Sequence, residues 1–291
     1  MRGCRILTKV AGVLSLAGAV VSAAAAAPES RRELIFGVEP AGSERAQTMI
    51  WLPLLEHLSI QLGLPVRLAT VNDRQSFDAC LKSGFYDIVF MNPYHYITAN
   101  NRDGYRAIAR QGDERVQGLL VVGHDSPIKS LDDLTGQTAA FSTPYSFADS
   151  ILVQSAIDDA GVTVSPVFFQ SQAAVYSAVS QGSIAVGGGT PDSFTTLDAP
   201  IRSALRILHV TQDVTPNAFA VHTSLSIDLR TRILDVLATV GDHAPEALDD
   251  LSIGAIVPAR DADWDKLRAM SIDPPRENTV QCPFTEQRKR R

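Results

Sequence analysis

The sequence predicts an α/β protein of two lobes, each a mostly parallel sheet flanked by helices, and three observations predict it. Strand-like and helix-like segments alternate along nearly the whole chain after residue 33, a pattern that sets parallel strands beneath covering helices. A strand–helix–strand–helix–strand unit at 33–90 is followed by a second one at 138–186. Extended apolar segments near residues 118 and 211 mark two crossings between the units, so residues 28–118 and 212–291 are expected to build one lobe and 119–211 the other.

Residues 1–27 read as a secretory signal peptide. Arg2, Arg5 and Lys9 come first, an apolar run follows at 10–21, and small residues at 22–27 offer cleavage sites. The run is well short of the ~20 apolar residues that cross a bilayer, so the mature chain is expected in the periplasm without stable membrane insertion. Cys4 lies ahead of the run, where no lipid would be attached. Cleavage removes three basic groups and moves the formal charge from −6 to −9, which argues against nucleic acid as a partner. The basic end at 288–291 reads as a solvated tail. Cys80 and Cys282 remain in a compartment that permits disulfides, and the spacing leaves open whether they pair or are unrelated thiols.

The elements follow in order. Residues 33–38 read as a strand, and 45–62 as a helix with apolar Ile50, Leu54, Leu55, Leu58 and Leu62, closed by Gly63. A strand at 66–69, a short helix at 77–81 and a strand at 88–90 complete the first unit. The last of these stops at Asn92-Pro93 and carries Asn92, Tyr94 and Tyr96 to the C-terminal end of the sheet, where ligands bind in open α/β folds. Residues 117–123 form an apolar strand before a turn, with Ser130 as the expected cap of the next helix. Then come a strand at 138–141, a helix at 147–160, a strand at 164–169, a helix at 173–180 and a strand at 184–186. Extended segments at 206–210 and 217–221 precede a helix at 229–240.

Gly187-Gly188-Gly189 matches neither G-x-x-x-x-G-K-[ST] nor G-x-G-x-x-G, so its expected role is close backbone approach, not phosphate cradling. Asp192 is expected to cap a helix at 193–197. The six histidines are scattered, with no pair at helical spacing beside Cys or Glu, so no metal and no cofactor are expected. No nucleophile and base stand at a selective spacing, and the chain is not expected to be an enzyme.

Four phrases, LIFGVEP, SGFYDIVFMNPYHYITA, VVGHDSPIKSLDDLTGQTAAFSTP and TPNAFAVHTSLS, occur in an order and spacing that resemble the periplasmic phosphonate- and phosphite-binding proteins of the PhnD type. The resemblance spans residues 33–270. It implies a type II solute-binding fold, a hinged clamp with its ligand between the lobes. It also implies capture of a small polar, anionic solute of phosphonate, phosphite or oxyanion type for the permease of an ABC importer. The alternative it leaves open is a sensing component that signals to a membrane histidine kinase. A monomer is expected.

At three places the chain departs from the family's pattern. Where members often read P-G-S-T-S-G, this chain has Pro144-Tyr145-Ser146-Phe147-Ala148-Asp149; where they often read S-H-D, it has Ser171-Gln172-Ala173; and Ala185 replaces a common acid. Loss of charge-assisted hydrogen bonds, each worth roughly 1.5–3 kcal/mol, predicts weak binding of 2-aminoethylphosphonate and a smaller or less charged solute. The ligand set implied by the resemblance is Asn92, Tyr94 and Tyr96 from the first lobe, Ser142, Thr143 and Ser146 at the facing strand-to-helix turn, Gln172 and Thr190 behind them, and Asn217 after Pro216, where Asn217 stands equally as a cleft or a hinge residue.

Overall fold

The computed structural model describes residues 33–112, 115–270, 272 and 280–285, and among these the strands form two mixed sheets. The signal peptide expected at 1–27 and the basic tail at 288–291 lie outside the described residues. In the first sheet β1 (Leu34–Val38) lies between β2 (Val66–Ala69) and β3 (Ile88–Met91), parallel to both. The returning strand β10 (Ala218–His222) joins antiparallel to β3 and to β4 (Tyr105–Gln111), and β11 (Ile256–Pro258) closes the edge. In the second sheet β6 (Thr138–Phe141) runs parallel between β7 (Ser165–Phe168) and β8 (Val186–Gly189). There β5 (Leu119–Gly123) pairs antiparallel with β8 and with β9 (Leu205–Val210). The sheets are thus parallel where strand–helix–strand units run and antiparallel where crossing strands return.

Strand β1 is buried along its whole length, as a central strand covered on both faces must be. Its cover includes α1 (Glu44–Leu62), which turns Trp51, Leu54, Leu55, Leu58 and Leu62 inward. Ser43 caps that helix by accepting from the Ala46 amide, and Gly63 ends it at φ 66°, a left-handed conformation that favours glycine. Asp73 caps α2 (Arg74–Lys82) in the same way, through the Ser76 amide. After β3 the chain does not continue as a loop. Asn92 accepts from the His95 amide at 2.9 Å and Pro93 takes the first helical position, so α3 (Pro93–Arg102) begins there.

In the second lobe the helix expected at 147–160 opens with one π-helical turn at Phe147–Ile151 before α4 (Leu152–Asp159). Ser171 caps α5 (Gln172–Ser180). The glycine run belongs to β8 itself. A Cβ on Gly188 would stand 2.2 Å from the Asp149 carbonyl oxygen, so the π turn rests directly on strand backbone. The helix after it, α6 (Pro191–Thr195), is capped by Thr190, not Asp192, and α7 (Ala199–Ser203) leads into β9. Ser130 caps no helix. Instead the Asp133 carboxylate accepts from the amides of Lys129 and Ser130 at 2.7 and 2.9 Å.

The two crossings lie side by side. Val116 and Val214 form an antiparallel bridge, Gly118 N–H donates to Thr211 Oγ1, and Thr211 N–H donates to the Gly118 carbonyl, the last two at 2.9 Å. Beyond β10, α8 (Ile227–Ala238) packs on the first sheet's outer face with α1. Cys80 on α2 is bonded to Cys282, and Phe284 stacks on Phe85 with ring centroids 4.9 Å apart, so the C-terminal segment is tied to α2. Among the described residues no helix is long and apolar enough to cross a membrane.

Candidate functional site

The C-terminal ends of β1, β2 and β3 lie along one edge of the first sheet, and each delivers a polar residue there. Glu39 follows β1, Arg74 opens α2 after β2, and Asn92 caps α3 after β3. Arg74 Nη1 donates to Glu39 Oε1 at 2.6 Å, and Asn92 Nδ2 donates to Glu39 Oε2 at 2.8 Å. On the first turn of α3, His95 is 3 % exposed, with Nε2 2.9 Å from Asp78 Oδ1 and Nδ1 3.5 Å from Glu39 Oε2. Burial pushes the imidazole toward neutrality, but the Glu39 and Asp78 carboxylates outweigh it and hold His95 above its ordinary pKa. Burial likewise pushes the Glu39 carboxyl up, and His95, Arg74 and Asn92 together hold it below its ordinary value. The result is a quartet of two carboxylates and two basic side chains, with His95 buried and the other three partly exposed.

Arg74 also reaches the other lobe. Its Nη1 donates to the Tyr145 carbonyl at 2.9 Å, and its guanidinium lies over the Tyr145 ring, 5.3 Å from the centroid. Its Nη2 is buried without a hydrogen-bond partner. Around this bridge a cleft of about 340 Å³ is walled by Glu39, Asn72, Asp73 and Arg74 on one side and by Thr143, Tyr145 and Ser146 on the other. Thr143 Oγ1 accepts from the amides of Tyr145 and Ser146, at 3.2 and 3.1 Å, which fixes the turn. Ser146 precedes the π turn and makes no capping bond with its side chain. A guanidinium, two hydroxyls and a helix start therefore converge on one space.

The residues implied by sequence fall into three groups. Thr143 and Ser146 line the cleft. Asn92 and Asn217 line a neighbouring cavity of about 290 Å³ on the α1 side of the same edge. The other five line neither cavity, and Tyr96 is the main correction. Its ring is fully buried against Trp264, and its hydroxyl donates to Asp261 Oδ1 at 2.7 Å while accepting from Asn100 and from the Ala107 amide. Because the segment is helical, Tyr96 stands a full turn beyond the Asn92 cap and turns back into the core. Burial and Asp261 push the phenol up to about 12. Tyr94 packs half-buried against the same core.

In the second lobe, Ser142 is buried and donates to Asp149 Oδ2 at 2.6 Å. Gln172 donates to the Gly188 carbonyl at 2.6 Å, bracing α5 on β8. Thr190 is consumed by its reciprocal cap with Ser193. Phe147, in the string that departs from the family's pattern, is 7 % exposed and joins the apolar cluster of the first lobe. Sequence reasoning missed Glu39, Arg74, Asp78, His95 and Tyr145. Its available signal was positional: Glu39 and Arg74 each stand just past a strand on the edge already singled out for Asn92.

This architecture is that of a type II substrate-binding protein, two α/β lobes joined by paired crossing segments with a cleft between them. The family model for periplasmic substrate-binding proteins of phosphonate ABC transporters matches residues 36–264, and the chain belongs to that family. Among solved structures, XAC2383 from Xanthomonas citri bound to chloride ion is similar at 19% identity, covering 81% of this chain and 95% of that one with a TM-score of 0.71. PhnD1 from Prochlorococcus marinus in complex with methylphosphonate matches at 15% identity, 81% and 96% coverage and a TM-score of 0.65. A binding-protein component of an ABC phosphonate transporter from Pseudomonas aeruginosa matches at 18% identity, 81% and 84% coverage and a TM-score of 0.61. At these identities the likeness is one of fold.

Proposed function

We propose that the protein captures a small anionic solute, of phosphonate, phosphite or oxyanion type, in the cleft between its lobes and presents it to the permease of an ABC importer in the periplasm. The observation that carries this reading is Arg74, which walls a cleft also lined by Thr143 and Ser146 and whose guanidinium keeps one nitrogen, Nη2, without a partner. An anion there would fill the open donor, and a charge-assisted bond of that kind contributes more than a neutral one. Residues 28–118 and 212–291 act as one lobe and 119–211 as the other, with the paired segments at Val116–Val214 and Gly118–Thr211 as the hinge. The description of PhnD1 as a methylphosphonate complex supports the ligand class. No observation favours kinase signalling over transport.

The reading is tested by a thermal-shift screen of phosphate, phosphite, arsenite, sulfate, methylphosphonate and methylsulfonate. Because a ligand that binds only the native state raises the melting temperature by mass action, at least one anion is expected to raise it in a saturable manner. A screen in which no anion does so overturns the proposal.

A further inference from the structure

His95 lines neither the cleft nor the cavity beside it, yet it stands against the groups that set the charge of the cleft wall. It is buried on the first turn of α3, with the Phe77 ring edge-on to it at 5.3 Å and Asn92 and Tyr94 beside it on its own element. The charged groups that face it are Glu39 after β1 and Asp78 and Arg74 on α2. Each ring nitrogen has a carboxylate oxygen next to it: Nδ1 is 3.5 Å from Glu39 Oε2, and Nε2 is 2.9 Å from Asp78 Oδ1. A neutral imidazole carries one proton and would turn a lone pair on one of these carboxylates, so only the imidazolium suits both. The same two carboxylates border Arg74, whose Nη1 donates to Glu39 Oε1 at 2.6 Å and whose Nε lies 4.0 Å from Asp78 Oδ2.

We propose that His95 is a positioning residue for anion capture, and that its protonation makes the cleft hold anions more tightly at low pH than at high pH. The inference rests on the anion-capture reading and adds the regulation of that same site. With His95 protonated, the charges of Glu39, Asp78, Arg74 and His95 cancel, and an incoming anion meets a neutral set. Loss of the proton leaves the set with a net negative charge and Arg74 as the only cation among the four. The guanidinium is then drawn toward Glu39 and Asp78 and away from the cleft, and the anion meets a like charge. Burial alone would strip the imidazole of its proton, but the two carboxylates hold its pKa above the ordinary value, which places the change above about pH 6.5. Because linkage is reciprocal, a bound anion raises the His95 pKa further.

The test is calorimetric titration of the parent and of His95→Gln with phosphate, phosphite, methylphosphonate, sulfate and methylsulfonate from pH 5 to 9. Several of these anions change charge over that range themselves, so the readout is the ratio of parent to variant affinity at each pH, in which the solute's own titration cancels. The parent is expected to bind at least about fivefold more tightly than His95→Gln at the acidic end, the lower end of coupling between linked sites, and the advantage is expected to fade as pH rises. Asp78→Asn removes one of the two carboxylates and is expected to move the midpoint of that fade to lower pH, a shift that a merely structural His95 would not give. It also carries the test alone, read against the parent, should His95→Gln fail to fold. His124→Gln, at an exposed position on the turn after β5, is expected to follow the parent throughout. A ratio that stays level from pH 5 to 9, or an Asp78→Asn midpoint that does not move, overturns the inference while leaving anion capture standing. Failure of every anion to bind at any pH overturns both.

Discussion

The hydroxyl of Tyr96 meets an acceptor and two donors: the Asp261 carboxylate, the Asn100 amide group and the Ala107 N–H. Asp261 is paired with Arg268 as well, whose guanidinium lies 6.0 Å from the Tyr96 ring centroid. Tyr96→Phe keeps the ring and strands these partners, so it is expected to cost about 1–3 kcal/mol and several degrees of melting temperature. Affinity for any bound anion should not change. Calorimetric melting and titration of the variant check both halves, and weakened binding at unchanged stability would return Tyr96 to the cleft. His95 makes a pH prediction. Its folded pKa is raised, so its contribution to stability is complete below the unfolded value of about 6.5 and is lost as pH rises through the folded value. Glu39 is lowered, so its contribution holds above its unfolded value and is lost as pH falls through the folded one. Melting curves from pH 5 to 9 should therefore show the parent losing stability relative to His95→Gln at the alkaline end. A constant difference across that range would contradict the assignment.

At the scale of elements, the C-terminal segment is held by one covalent bond and one ring stack. Residues 280–285 dock on α2 through Cys80–Cys282 and on the turn after it through the Phe85–Phe284 stack, and the bond joins points 202 residues apart. Cys282→Ser is expected to lower stability by about 2–4 kcal/mol and to open this segment to proteolysis, with the cleft unaltered. Limited proteolysis and chemical denaturation read the effect, and a variant as stable and as resistant as the parent would contradict it. The elements themselves were largely legible, because strands buried on both faces read as apolar runs and helices carry their caps in sequence. Residues 66–69 and 138–141 are strands with the expected bounds. The α3 helix was read as the end of a strand, because Asn92-Pro93 has two readings: it stops a strand, and it also starts a helix with a cap and a first-turn proline. That single ambiguity displaced Tyr96 from core to cleft. Thr190 was misplaced similarly, since its hydroxyl serves the helix start and not the cleft.

At the scale of the whole molecule, the charged quartet explains why the site was only partly legible. Glu39 meets Arg74 and Asn92 across 35 and 53 residues of chain, and Arg74 meets Tyr145 across 71, so no local motif links them. Only the convergence of three strand ends brings them together. The Arg74–Tyr145 bridge spans the cleft, and its loss should favour an open arrangement about the paired crossings. Arg74→Ala is expected to raise the radius of gyration of the ligand-free protein in small-angle scattering, and an unchanged value would remove the bridge from lobe closure.

The same guanidinium is the centre of the functional account. The most direct measurement is calorimetric titration of the parent and of Arg74→Gln with the anion that gives the largest shift in the thermal screen. Gln keeps much of the side chain's length and polarity but removes the charge, and a charge-assisted hydrogen bond is worth roughly 1.5–3 kcal/mol. The account predicts that Arg74→Gln binds roughly 10- to 100-fold more weakly while remaining folded by circular dichroism. A folded Arg74→Gln that binds the anion as tightly as the parent would contradict it.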